Sequence, residues 1–239
     1  MKPIYEPKGK AKEYGDLAIN IYTGCPHRCY YCFAPNVLHR TKEDFHSHVE
    51  PRKGIVEAVK RQLNAEHITD KLIHLCFTCD PYPAGIDTAP TREIIKAIKG
   101  SGNRVQILTK GGMAAERDFD LLNSEDWFGV TVTEYMGKCE IVEPNAASTE
   151  DRIGSLISAK ADGINTWVSF EPVLNAQLVF DWIKGIHCVD LFKIGKLNYY
   201  PSNINWGEFG AECERLCKEY GRNYYIKEGL KLEMLKEAR

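Results

Sequence analysis

The stretch Tyr22-Thr23-Gly24-Cys25-Pro26-His27-Arg28-Cys29-Tyr30-Tyr31-Cys32-Phe33 determines how the rest of the chain is interpreted. It carries Cys25, Cys29 and Cys32 at the spacing C-x3-C-x2-C, directly after an apolar segment, residues 16–22, that predicts a strand. Three thiols so close together on a loop indicate metal binding. A [4Fe-4S] cluster usually takes four cysteine ligands, so a group of three would leave one iron open to an exogenous molecule.

A zinc site is the main alternative for these three thiols. Two cysteines separated by two residues are common zinc ligands, and His39, His46 or His48 is close enough in sequence to supply the fourth. Three unreactive core thiols are a further alternative. The iron-sulfur interpretation is favoured because the rest of the chain alternates strands and helices, which a small zinc module does not need.

The loop resembles the cluster-binding loop of the radical S-adenosylmethionine (SAM) superfamily, in which an aromatic residue, here Tyr31, stands directly before the third cysteine. The resemblance implies Cys25, Cys29 and Cys32 as cluster ligands and SAM as the second cofactor, bound to the open iron through its amino and carboxylate groups. In that family, reductive cleavage of SAM gives methionine and a 5′-deoxyadenosyl radical, which abstracts a hydrogen atom from substrate. A reductant such as flavodoxin or ferredoxin is then an implied partner.

Composition favours one soluble, cytoplasmic α/β domain. The chain has 239 residues, 44% of them hydrophobic, with no long apolar segment and no apolar signal core at its start, so we expect no membrane contact. Nine cysteines without a secretory signal indicate reduced thiols rather than a disulfide scaffold. The net charge of −2 does not predict a nucleic-acid partner, although a local basic groove would suffice for one.

Hydrophobic periodicity predicts alternating strands and helices along the chain. After the strand at 16–22, strands are predicted at 71–78, 104–109, 128–133, 167–170 and 190–194, with a short seventh at 224–226. Helices are predicted at 51–64, 91–99, 114–123, 176–184 and 206–220. A further helix is predicted to begin after a cap at Ser148, and an irregular loop is predicted over 34–50. Parallel strands with right-handed crossovers follow.

The predicted fold is therefore a partial (β/α)6-type TIM barrel of the radical SAM kind, in one core domain over residues 1–239. We expect residues 1–14 to form an arm over the barrel outside its core, and residues 206–239 to form a helical cap. Cys213 and Cys217 repeat at helical spacing with Phe209 and Leu216, which predicts a buried helix stripe rather than a second cluster.

Polar residues follow the predicted strands at the edge where β/α barrels carry their chemistry. The predicted mouth of the barrel is lined by Asp80, Lys110, Glu134, Glu171 and Lys193. This set suits a zwitterion such as the methionine part of SAM, together with a polar substrate. Two alternatives without a functional role stay open: Asp80 could cap a turn before Pro81, and Lys110 could be an exposed loop lysine.

Two strand ends resemble the spore photoproduct lyase group more closely, the group often called DNA repair photolyases. Thr78-Cys79-Asp80 followed by Gly85-Ile86-Asp87 is similar to its SAM-binding segment, whereas the Gly-Gly-Glu type motif of most radical SAM enzymes is missing. The resemblance implies that Asp80 and Cys79 contact the SAM amino group, Lys110 its carboxylate, and Thr131 SAM as well. Tyr31 and Phe33 beside the cluster, and Glu171 at the mouth, complete the predicted cofactor-binding set.

Cys79 is also the predicted catalytic residue. The lyase donates a hydrogen atom from a cysteine at the position that Phe77 holds here, and alternation along a strand would direct Phe77 and Cys79 to one face. A buried filler thiol is the alternative for Cys79. The short N-terminal region makes thymine-dimer repair doubtful, so the substrate is predicted as a nucleic acid or a small molecule, metabolite, nucleotide or peptide. A zinc or iron-sulfur module without turnover is the alternative of another class.

Overall fold

One eight-stranded sheet organises residues 2–135 and 137–237, the parts of the chain that this computed structural model describes. Its strands follow in sequence order: β1 (Ile4–Tyr5), β2 (Leu17–Ile19), β3 (Leu72–Leu75), β4 (Arg104–Thr109), β5 (Trp127–Thr131), β6 (Asn165–Phe170), β7 (Leu191–Ile194) and β8 (Tyr224–Ile226). β1 runs antiparallel to β2, and β2 to β8 are parallel to one another. The predicted partial barrel, open and in a single domain, is confirmed.

The helices cover the outer face of this sheet. They are α1 (Ala34–Val37), α2 (Lys42–Ser47), α3 (Ile55–Ala65), α4 (Ala89–Gly100), α5 (Cys139–Val142), α6 (Thr149–Ala161), α7 (Ala176–Gly185), α8 (Trp206–Glu219) and α9 (Glu228–Glu237), and a 3-10 helix spans Gly112–Leu121. The prediction of an irregular loop over 34–50 is wrong, because α1 and α2 form there. At four and six residues they are too short for a periodic pattern, and α2 begins at Thr41, whose hydroxyl accepts the Asp44 N–H.

Alternation along the strands separates two environments. Ile73, Ile107 and Phe192 are fully buried in the apolar layer between sheet and helices. Residues of the opposite parity meet inside the barrel, where Lys193 Nζ lies 3.3 Å from Gln106 Oε1 across the sheet. The barrel interior is therefore polar, whereas its outer layer is the hydrophobic core.

The N-terminal arm lies deeper than the sequence predicted. Ile4 is buried in the core and exchanges two backbone hydrogen bonds with the Gln62 amide. The Tyr14 ring enters the barrel and lies 5.2 Å from the His74 ring and 5.9 Å from Trp167, centre to centre. The arm thus contributes to the interior instead of covering it from outside.

The C-terminal elements agree more closely with the predicted pattern. Cys213 and Cys217 are buried in α8 together with Phe209 and Leu216, so the predicted helix stripe is confirmed. α9, which ends at Glu237, packs against α8; residues 238–239 of the predicted cap lie outside the described residues. Within the described ranges, no helix has both the length and the apolar character needed to cross a bilayer.

Candidate active site

The three-cysteine loop begins at the C-terminal end of β2 and leads into α1. Its start is held by the Thr23 N–H, which donates to the Glu50 carbonyl at 2.9 Å, and by Arg40, which donates to the Thr23 carbonyl at 2.5 Å. Arg40 also pairs with Asp44 at 2.5 Å. α2 and the residues after it therefore brace the loop from behind.

Gly24 lets the loop pack directly against α2. A Cβ added at this position would overlap the carbonyl oxygen of Phe45, which is backbone and cannot rotate away. We expect Gly24→Ala to lower the free energy of unfolding by about 1–3 kcal/mol, as overpacked sites do. It should also lower the iron content after reconstitution, because the shift falls next to Cys25. Urea unfolding and iron analysis measure both.

Gly100→Ala is the matched control for that substitution. Gly100 ends α4, and a Cβ there would meet no atom within 4 Å. Alanine should stabilise this position slightly, since glycine is the poorer helix residue. Equal stability and equal iron content in wild type and Gly24→Ala would contradict the close packing described for the loop.

The three thiols share one partly desolvated environment. Cys29 is 8% exposed, and Cys25 and Cys32 are half-buried. Burial raises the pKa of all three, that of Cys29 to about 12, and the charges of Cys29 and Cys32 raise the pKa of Cys25 further. Backbone N–H groups are directed at two of the sulfurs, from His27 to Cys25 and from Ala34 to Cys32. Such donors stabilise thiolate ligands and orient them.

The surroundings of the loop do not favour a zinc site. Within the described residues, no group of three His, Cys, Asp or Glu side chains is close enough to hold a single metal ion. His46 Nδ1 instead contacts the Cys25 carbonyl at 2.7 Å, and His48 Nδ1 contacts Asp44 at 3.0 Å. A [4Fe-4S] cluster fits this arrangement better, because each cysteine then binds a different iron.

Asp80 lies at the centre of the hydrogen bonds behind the loop. Its carboxylate accepts from the Tyr82 N–H (2.8 Å), the Thr109 hydroxyl (2.5 Å) and the Lys110 N–H (2.8 Å), and His27 Nδ1 lies 3.6 Å away. The bond to Tyr82 is the turn cap that the sequence left open as an alternative. Asp80 thus joins β3, β4 and the cysteine loop, and its contact with the SAM amino group stays a prediction.

Lys110 differs from Asp80 because its charged end is free. No described residue accepts a hydrogen bond from its Nζ, which lies 5.7 Å from the centre of the Tyr31 ring. Burial on its own lowers the pKa of Lys110, but the nearby Cys29 and Glu143 outweigh burial and raise it. A half-buried ammonium group beside the cysteine loop is therefore available to an anionic ligand.

Three residues of the site were missed by the sequence analysis. His27 is 1% exposed; burial lowers its pKa, and its Nε2 accepts from the Ala84 N–H at 3.3 Å. Glu143 and Arg152 form a buried pair at 2.5 Å, and Glu143 also accepts from the Tyr31 hydroxyl. Tyr31 and Glu143 are 112 residues apart, so no local pattern could have joined them.

The remaining predicted cofactor residues are separated by the structure. Thr131 is buried at the end of β5, and its carbonyl accepts from Arg152 at 2.8 Å, which links it to the loop network. Phe33 is 46% exposed at the start of α1. Glu171 instead contacts Tyr14, Lys227 and Asn198. Contacts therefore connect Thr131, but not Glu171, to the cysteine loop.

Cys79 lies beside the loop, but not for the reason given by strand alternation. β3 ends at Leu75, and Cys76 has a left-handed backbone (φ 70°), so residues 76–79 form a bend. The prediction that strand alternation directs Phe77 and Cys79 to one face is therefore wrong. The half-buried Cys79 sulfur accepts the Tyr22 N–H at 3.4 Å, at the edge of the loop. Its role as a hydrogen-atom donor stays a prediction.

Comparison with known sequences identifies the class of protein. Residues 19–175 match the model of the radical SAM superfamily, and the chain belongs to that superfamily. An uncharacterized protein of Methanocaldococcus jannaschii is 29% identical over 189 residues, which cover 77% of this chain and 69% of that protein. An uncharacterized protein of Mycobacterium tuberculosis is 27% identical over 168 residues, which cover 65% of this chain and only 49% of that protein.

Solved structures extend the similarity at the level of the fold. Spore photoproduct lyase complexed with dinucleoside spore photoproduct superimposes with a TM-score of 0.65 at 14% identity, covering 89% of this chain and 76% of the lyase. Streptococcus suis SuiB bound to precursor peptide SuiA gives a TM-score of 0.65 at 10% identity, covering 92% of this chain and 51% of SuiB. The partial barrel is thus shared with enzymes that bind different kinds of substrate.

Proposed function

We propose that this radical SAM enzyme holds a [4Fe-4S] cluster on Cys25, Cys29 and Cys32 and cleaves SAM reductively, for hydrogen abstraction from a substrate. The observation that carries the proposal is the cysteine loop itself: three free thiols at the spacing C-x3-C-x2-C on one short loop, inside the part of the chain that matches the superfamily model. When bound, the cluster supplies one electron to the sulfonium of SAM, which yields methionine and a 5′-deoxyadenosyl radical.

The chain's own residues have three tasks in this proposal. Lys110 binds the SAM carboxylate, because its ammonium group lacks a protein acceptor within the described residues. Asp80 keeps Lys110 in place through the Lys110 N–H and holds His27, which lies in the cysteine loop between Cys25 and Cys29. The buried pair of Glu143 and Arg152 fixes the Tyr31 hydroxyl, and with it the aromatic wall of the site.

The charged residues inside the barrel favour binding of a polar substrate with an anionic group. Lys193 and Lys227 are both buried, and Lys227 pairs with Glu171. Among the described residues, Lys193 Nζ donates to two neutral oxygens, Gln106 Oε1 at 3.3 Å and the Glu13 carbonyl at 3.4 Å, and the charge of Glu13 acts on it as well. Burial and the charge of Lys227 lower the pKa of Lys193 to about 8, so a negatively charged substrate group would favour its ammonium form. Nucleotides, amino acids and peptide carboxylates all meet this requirement.

Anaerobic reconstitution tests the proposed function. The protein should take up about four irons per chain, and the reduced holoprotein should convert SAM to 5′-deoxyadenosine and methionine. Binding of zinc in place of iron, with no 5′-deoxyadenosine formed, would favour a non-catalytic metal module. A deuterium-transfer screen, in which labelled molecules are tested for transfer of the label to 5′-deoxyadenosine, then identifies the substrate.

Lys110→Met tests the proposed carboxylate contact separately from turnover. Loss of a charge-assisted hydrogen bond of about 1.5–3 kcal/mol should weaken SAM binding roughly 10- to 100-fold. Equilibrium dialysis with the oxidised holoprotein measures the dissociation constant without consuming SAM. Lys138→Met, which removes an exposed lysine, is the matched control and should leave the constant unchanged. Equal affinity in wild type and Lys110→Met would remove Lys110 from the SAM site.

A further inference from the structure

Two cysteines outside the cluster loop form a C-x-x-C pair, Cys76-Phe77-Thr78-Cys79, at the end of β3. Both are free thiols; Cys76 is 6% exposed and Cys79 is half-buried. The left-handed backbone at Cys76 bends the segment, so that both sulfurs lie beside the backbone of Ile21 and close enough for each to shift the pKa of the other. A positive φ is uncommon for cysteine and marks a conformation that its surroundings impose. Two neighbouring thiols at the spacing C-x-x-C, on a bend after a strand, are arranged as in dithiol redox motifs.

The two sulfurs have unequal environments. Burial on its own raises the pKa of Cys79, but hydrogen bonds from Cys76, Tyr22 and Ile21, together with the charge of Arg52, lower it overall. Burial and the neighbouring Cys79 instead raise the pKa of Cys76 well above its ordinary value. Cys79 is therefore the nucleophile of the pair, and Cys76 is the protonated, more deeply buried partner.

We propose that Cys76 and Cys79 are a redox-active dithiol that is converted reversibly to an intramolecular disulfide by exchange with an external disulfide. The Cys79 thiolate attacks one sulfur of the external disulfide, whose S–S bond breaks and releases one thiolate. Cys76 then transfers its proton to that thiolate and attacks the Cys79 sulfur, which releases the second thiolate. The two cysteines lose two electrons, and the external disulfide is reduced to one thiol and one thiolate, which takes a proton from water.

Disulfide formation would change the neighbouring site directly. The hydrogen bond from the Tyr22 N–H to the Cys79 sulfur holds the start of the cysteine loop against this segment, and Asp80 follows Cys79 in the chain. Asn20 Oδ1 accepts the N–H groups of Phe77 and Thr78, so the bend is anchored to the residue that follows β2. Oxidation also removes the thiol proposed as hydrogen-atom donor; that consequence rests on the proposed function, whereas the dithiol itself does not.

Thiol mapping tests the pair in the holoprotein. Trypsin should release residues 72–92, a peptide that contains Cys76 and Cys79 and no other cysteine. After anaerobic equilibration in mixtures of reduced and oxidised glutathione, acid quenching and alkylation, we expect this peptide to lose both alkylation sites together and to weigh two hydrogens less. A reductant should restore both sites. Cys213 and Cys217, buried one helical turn apart in α8, are the internal control and should stay alkylated.

Single variants test the order of the two steps. Cys76→Ser should accumulate a mixed disulfide with glutathione at Cys79, whereas Cys79→Ser should leave Cys76 unmodified. Thermal unfolding checks that both variants fold. The proposal is overturned if the 72–92 peptide keeps two alkylated thiols in the most oxidising buffer, or if Cys76 in Cys79→Ser takes up as much glutathione as Cys79 does in Cys76→Ser. Neither result depends on cluster loading or on SAM cleavage, so each is distinct from a failure of the proposed function.

Discussion

Cys29→Ala is expected to abolish formation of 5′-deoxyadenosine, to below the detection limit of chromatography. Cys29 is the most deeply buried of the three loop cysteines, and its removal would leave two protein ligands for the cluster. Water cannot readily replace the thiolate there, because the position is only 8% exposed. Iron content and the brown absorbance of the reconstituted protein should fall together with activity.

Cys188→Ala is the control for that loss. Cys188 is a free thiol as well, half-buried, but it follows α7 and lies away from the cysteine loop. This variant should keep wild-type iron content and activity. Thermal unfolding of Cys29→Ala should remain close to wild type in the apoprotein, which separates a lost ligand from a lost fold. Full activity in Cys29→Ala would remove Cys29 from the cluster.

Arg152→Met is expected to lower the free energy of unfolding by about 3–5 kcal/mol, the largest stability effect among these predictions. Arg152 is 1% exposed and donates to Glu143 (2.5 Å), the Thr131 carbonyl (2.8 Å) and the Ala147 carbonyl (3.0 Å). Methionine fills a similar volume but leaves the Glu143 carboxylate buried without its main counter-charge. Urea unfolding at equilibrium measures the change.

The stability that Arg152→Met loses should depend on pH and be larger at pH 7 than at pH 5. Burial on its own raises the pKa of Glu143, but Arg152 and Lys110 outweigh burial and lower it. In the wild type, this lowered pKa stabilises the fold above the unfolded pKa of about 4.3, and the contribution disappears as the pH falls through the folded value. Without Arg152 the folded pKa rises, so the deficit should be larger at pH 7 than at pH 5, where Glu143 is more easily protonated.

A double variant distinguishes an unpaired charge from lost packing. Glu143→Gln combined with Arg152→Met removes both charges and should recover at least about 1 kcal/mol relative to Arg152→Met alone, because no buried carboxylate is left unpaired. A loss below about 1 kcal/mol in Arg152→Met, or a double variant less stable than either single one, would contradict the role of the pair.

The sequence predicts the parts of this molecule that depend on local patterns. The strands at 104–109 and 224–226 are found at the predicted positions, because alternation and β-branched residues act within a few neighbours. The capped start of α6 at Ser148 is likewise local, since its hydroxyl accepts the Asp151 N–H three residues later. The spacing of the three cysteines is the strongest local pattern of all, and the superfamily it indicated is confirmed.

The features that the sequence did not predict depend on contacts between residues that are far apart in the chain. α1 and α2 are short and are held against the cysteine loop by Arg40 and Phe45, so their formation follows from tertiary packing. The orientation of Cys79 is set by one left-handed residue, Cys76, which strand alternation cannot anticipate. Glu143 and Arg152 reach Tyr31 from a distant part of the chain. The role of Lys110 toward SAM is a prediction that Lys110→Met tests, and the roles of Asp80 and Thr131 remain predictions.

Electron paramagnetic resonance of the reduced holoprotein, recorded with and without SAM, tests the central claim most directly. If three cysteines leave one iron open, SAM added to the reduced protein should change the g-values of the cluster signal, because its amino and carboxylate groups become ligands. The same addition to Cys29→Ala should change nothing. A cluster signal that SAM leaves unaltered in the wild type would mean that a fourth protein ligand already closes the site, and it would contradict the proposed chemistry.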